Sequence, residues 1–115
     1  MSKRFVERPR RFQVSRNGEL RLDEHRFKGL IKNISQKGMF IVSNYDVEVG
    51  MELQVKVELA PGLPFDGKIK VRHFADGSFG AEIIEADAQS RDNWAQFLET
   101  EYPGQAGLSD RRSGG

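Results

Sequence analysis

The stretch MELQVKVEL, residues 51–59, constrains the fold more than any other part of this chain. Met51, Leu53, Val55, Val57 and Leu59 alternate without a break against Glu52, Gln54, Lys56 and Glu58. Successive side chains of a strand point to opposite faces, so this segment as a strand is apolar on one side and wet on the other. A strand buried on a single face belongs to an antiparallel sheet.

The same period recurs on both sides of it. In FDGKIKVRHF (65–74), Ile69 and Val71 are opposed by Lys68, Lys70 and Arg72, and FGAEII (79–84) reads as the return strand after an Asp-Gly hairpin signal at ADGS (75–78). APGLP (60–64) breaks the chain between two strands through two prolines and a glycine. Upstream, RFQVSR and LRL flank Asn17-Gly18, where a further hairpin turn is expected, and FKGLIKNI and GMFIVS supply two more apolar runs. The chain is therefore expected to be mainly β: a small antiparallel barrel of about six short strands with one C-terminal α-helix. The helix is read from DAQSRDNWAQFLETEY, with Asp87 as N-cap and Trp94, Phe97 and Leu98 spaced to lie on one buried face. Three regions follow: a flexible basic arm over 1–11, a barrel with its closing helix over 12–101, and a disordered tail over 102–115 that is rich in Gly, Ser and charge.

Several function classes drop out. At 115 residues there is room for one domain. No apolar run approaches the roughly 18–20 residues of a membrane helix, so no membrane insertion is expected. There is no cysteine, which removes disulfides, thiolate chemistry and Cys-based zinc sites. His25 and His73 stand alone, outside any ligand spacing. No nucleophile elbow, P-loop or dinucleotide fingerprint is present. The expectation is a binding domain rather than an enzyme, with no catalytic residues, metal or cofactor, and with the cytoplasm as the default location.

Charge is distributed unevenly. Residues 1–16 hold Lys3, Arg4, Arg8, Arg10, Arg11 and Arg16 against Glu7, six bases to one acid, a local balance of +5 on a chain whose net charge is +1. Such an arm suits a compact anion. Arg4 and Arg8 form an Arg-x-x-x-Arg pair, with Arg10 and Arg11 directly after. Arginine's planar fork grips a phosphate, or the O6/N7 edge of guanine, with two parallel hydrogen bonds. NISQKGMFIV (33–42) adds a second component. Asn33 and Ser35 can shape a turn or bond a ligand, and Gly38 allows positive φ or a close ligand approach. An ordinary turn and a solvated charged end would show the same residues.

Taken together, the arginine-rich arm, the short strands, Asn-x-Ser-x-x-Gly opening into an apolar strand, FGAEII and a closing helix with WAQFLE resemble the PilZ domain family. The resemblance spans roughly residues 4–101. It implies a bacterial receptor for cyclic di-GMP, with an Arg-x-x-x-Arg motif near the start and an Asp/Asn-x-Ser-x-x-Gly motif on the barrel. Asn33, Ser35 and Gly38 match the second motif residue by residue. Arg4 and Arg8 match the first by spacing. Family members commonly place the second arginine just before the first strand, and Arg11 holds that seat here, with Arg10 beside it and Glu7 four residues earlier. The implied ligand-binding set is Arg4, Arg8, Arg10, Arg11, Asn33, Ser35 and Gly38. The resemblance further implies that the arm orders over cyclic di-GMP and that the protein then engages a downstream partner protein. The alternative is a PilZ-like protein-interaction module that needs no nucleotide. A barrel for single-stranded nucleic acid is disfavoured, because the charge sits on one arm and the strands carry balanced Lys and Glu.

Overall fold

Alternation turns into a closed barrel because every strand has one face to hide. The computed structural model describes residues 11–101. The elements follow in the order β1 (Phe12–Leu22), β2 (His25–Ile34), β3 (Gly38–Val42), β4 (Glu52–Glu58), β5 (Pro64–Ala75), β6 (Ser78–Ala86) and α1 (Ala88–Glu101). Round the barrel the strands run β1-β2-β3-β6-β5-β4, all neighbours are antiparallel, and β4 closes the ring by pairing with β1. The fold is thus mainly β, a six-stranded closed antiparallel barrel with one C-terminal helix, as the periodicity predicts. Leu53, Val55, Val57 and Leu59 all point into the core, where they meet Leu20, Ile31, Ile41, Ile69 and Val71 from the other strands.

Two of the expected turns form as read. Gly62 (φ +83°) turns the chain between β4 and β5, and Gly77 (φ +75°) sits in the two-residue link from β5 to β6. The hairpin expected at Asn17-Gly18 does not form. β1 runs straight through it, pairing Gly18 with Gly29 on one side and Val57 on the other. The chain reverses instead at Asp23-Glu24, where Asp23 takes the left-handed conformation (φ 56°). The reason is burial. Gly18, Leu20 and Leu22 continue one inward-facing row, and breaking the strand at Gly18 would remove Leu20 from the core. Asp tolerates the left-handed turn that the row leaves for it.

Asp87 caps α1 as predicted: its Oδ1 accepts from the Ser90 N–H at 2.7 Å. Trp94, Phe97 and Leu98 are buried, with the Trp94 ring tilted against Phe65 at 4.8 Å. Burying each such side chain is worth about 1.5–3 kcal/mol, so packing rather than propensity holds this 14-residue helix in place. Polar bonds set its position along β5. The Asn93 amide donates to the Pro64 carbonyl at 2.7 Å, and the Asp66 N–H donates to Ser90 Oγ at 3.0 Å.

Candidate functional site

β2 and β3 form one hairpin, and Asn-x-Ser-x-x-Gly spans its turn. Ser35 Oγ accepts from the backbone N–H groups of Gly38 (3.2 Å) and Lys37 (3.3 Å), while the Ser35 N–H donates to the Gly38 carbonyl at 2.9 Å. The hydroxyl is thus committed to shaping the turn. Two outside groups brace the same loop: the indole N–H of Trp94 donates to the Ser35 carbonyl at 2.9 Å, and the Ile83 N–H of β6 donates to the Lys37 carbonyl at 2.7 Å. A turn held from within, from the helix and from the neighbouring strand is preorganised, so a ligand meeting it need not pay for its ordering.

Gly38 has a packing reason to be glycine. It is not among the residues with positive φ. A Cβ there would lie 2.2 Å from the carbonyl oxygen of Ala81 on β6, well inside contact distance and against backbone that cannot swing away. The missing side chain lets β3 and β6 pair, whatever else approaches the turn.

Asn33 lies one residue before β2 ends, half-buried and facing outward. Its Oδ1 accepts from the Arg11 guanidinium at 3.0 Å. Arg11 directly precedes β1, and β1 lies beside β2 with Gln13 opposite Asn33, so strand pairing brings the end of the arm onto the motif. The Asn33 amide nitrogen, with two N–H donors, makes no hydrogen bond to another described residue. Arg11 and Asn33 together therefore present a cluster of donors on one exposed patch, suited to phosphate oxygens or to the acceptor edge of a guanine.

Of the sequence-predicted site residues, the structure brings together Arg11 and Asn33, with Ser35 and Gly38 building the turn beside them. Arg4, Arg8 and Arg10 lie outside the described residues. Arg16, which shares the arm's charge in the sequence, serves the barrel instead. Its Nε donates to the Leu59 carbonyl at 2.6 Å, and its guanidinium lies 5.6 Å from the centre of the Phe97 ring. It ties β1 to the β4–β5 turn and to α1. Its position inside the β1 alternation separates it from the arm, but its partners 43 and more residues away leave no trace in the sequence.

Two surface hollows lie elsewhere. One of about 1050 Å³ is bordered by Lys28, Lys56, Phe65 and the start of α1, and another of about 640 Å³ lies between α1 and β6, with Lys37 on its rim. Neither includes Arg11, Asn33 or Ser35. Among the described residues no three His, Asp or Glu side chains converge as a metal site, and no helix is long and apolar enough to cross a membrane.

A search of curated proteins returned no significant match. Solved structures that share the fold include the following two. The Bacillus subtilis inhibitor of motility (MotI/DgrA) superposes with a TM-score of 0.72 at 20% identity, covering 86% of this chain and 52% of that one. The PilZ domain of CeSA from a cellulose-synthesizing bacterium superposes with a TM-score of 0.66 at 10% identity, covering 81% of this chain and 99% of that one. This chain thus spans about half the length of MotI/DgrA, and at these identities both likenesses are of fold alone. The family description "PilZ domain" matches residues 3–100. That match takes in the arginines of the arm, the Asn-x-Ser-x-x-Gly turn, the whole closed barrel and all but the last residue of α1, and the chain belongs to the PilZ domain family.

Proposed function

We propose that this chain is a bacterial cytoplasmic receptor for cyclic di-GMP, in which the basic arm folds over the ligand against the β2–β3 turn and the ordered arm engages a partner protein. The observation that carries the reading is the 3.0 Å bond from Arg11 to Asn33, which puts an arginine of the arm and the motif asparagine on one patch. In this reading the guanidinium of Arg11 and the amide of Asn33 take a phosphate or a guanine edge, and Arg4, Arg8 and Arg10 complete the clamp. Ordering the arm costs about 1–2 kcal/mol per residue in backbone entropy. Each charge-assisted hydrogen bond returns roughly 1.5–3 kcal/mol. Several must therefore form together, and the ligand needs several anionic or acceptor groups, as a cyclic dinucleotide has.

Isothermal titration with cyclic di-GMP, with GTP as control, tests this. Saturable binding in the micromolar range or tighter for the cyclic dinucleotide alone is the expected result. No heat with either nucleotide overturns it and leaves a PilZ-like protein-interaction module, a reading favoured by Glu7 four positions before Arg11, where a second arginine would complete the pair.

A further inference from the structure

We infer that Phe40 and His73 form an aromatic platform on which a guanine of the bound ligand stacks, beside the Arg11–Asn33 pair. The inference rests on the receptor reading above and adds a contact surface to it. Four strands contribute to one row: Asn33 on β2 pairs with Phe40 on β3, Phe40 with Gly80 on β6, and Gly80 with His73 on β5. Directly paired residues of an antiparallel sheet share a face. The face is the outer one: Asn33 meets the exposed Arg11 there, and register shifts between Ile31 and Asn33 and between Val71 and His73 turn these two residues away from the core that the pairs Ile31–Ile41 and Val71–Ala81 fill.

Gly80 makes the row flat. A Cβ at this position would stand 2.4 Å from His73 Cε1 and 2.5 Å from Nε2. The imidazole therefore lies directly over the glycine, leaning across β6 toward β3, and His73 as a residue is exposed. Neighbouring strands are about 4.7–4.9 Å apart. The platform thus begins one strand from Asn33, within the span of a single nucleotide whose phosphate is held by Arg11. Every purine has a π face, and stacking on Phe or His is the general way a protein holds an unpaired base. An aromatic laid over a cross-strand glycine also steadies a sheet, so the test needs a readout that stability alone does not move.

Such a readout exists because the chain has two histidines. His25 sits at the β1–β2 hairpin, the other end of β2 from Asn33, and acts as the internal control. The experiment follows both imidazole Cε1–H resonances by NMR while cyclic di-GMP is added to the full chain. Affinities of His73→Ala, His73→Phe and Gly80→Ala are measured in parallel. Ring-current displacement of the His73 signal with His25 unmoved is expected. So is a roughly tenfold rise in Kd for His73→Ala and for Gly80→Ala, whose methyl displaces the ring, with His73→Phe within about threefold of wild type. If the ligand saturates the protein while the His73 signal and the His73→Ala affinity stay unchanged, the platform is overturned and the receptor reading stands. Equal movement of both histidines also overturns it. Failure of the wild-type chain to bind removes both.

Discussion

The indole N–H of Trp94 donates to the backbone carbonyl of Ser35 at 2.9 Å across 59 residues of sequence. The helix and the motif turn are therefore one mechanical unit. Trp94→Phe keeps an aromatic ring against Phe65 and removes the donor. Urea unfolding should show a loss of about 1–2 kcal/mol, with faster amide exchange at Lys37 and Gly38. As the only tryptophan in the chain, Trp94 should also change its emission when ligand loads the turn.

Gly38→Ala separates packing from ligand approach. Its methyl meets the Ala81 carbonyl, so β3 and β6 must part locally, at a cost of about 1–3 kcal/mol. A fall in Tm of roughly 5–15 °C should appear without any ligand. A glycine needed only for ligand access would lose affinity at unchanged Tm.

Arg11 and Arg16 are five residues apart and carry the same charge, yet opposite phenotypes are expected. Arg11→Ala breaks an exposed bond to Asn33 and should leave Tm nearly unchanged while weakening cyclic di-GMP binding at least about tenfold, or 1.4 kcal/mol. Arg16→Ala strips the Leu59 carbonyl of its donor and the Phe97 ring of its cation. It should cost about 1.5–3 kcal/mol of stability, read by denaturant midpoint. Comparable losses of affinity and stability in both variants would contradict the division of roles.

Asp87→Ala removes the helix cap that accepts from Ser90. A loss of about 0.5–2 kcal/mol is expected, and Asp87→Asn, which keeps an acceptor at the cap, should recover most of it. Thermal unfolding of the two variants side by side checks both statements.

Much of this architecture is legible in the sequence. Strict alternation in 51–59 specified a one-sided strand because a period of two admits no other burial, and the helix face was readable from Trp94, Phe97 and Leu98. Gly62 and Gly77 marked their turns because positive φ is a local demand. Asn17-Gly18 misled for an instructive reason. A turn signal states what two residues tolerate, and burial of the Gly18–Leu20–Leu22 row decides whether they turn.

The candidate site divides along the same line. The sequence by itself determined that residues 33–38 join two strands with turn-forming side chains, since Ser35 and Gly38 interact within three positions of each other. Only the tertiary structure decided the rest: that Asn33 receives Arg11, that Gly38 is reserved for Ala81, that Arg16 belongs to the barrel, and that Phe40 and His73 flank one glycine. Those relationships depend on strand register and on closure of the ring. Both are settled by the summed burial of six strands, so no pair of residues 22 or 59 positions apart carries its own mark in the chain.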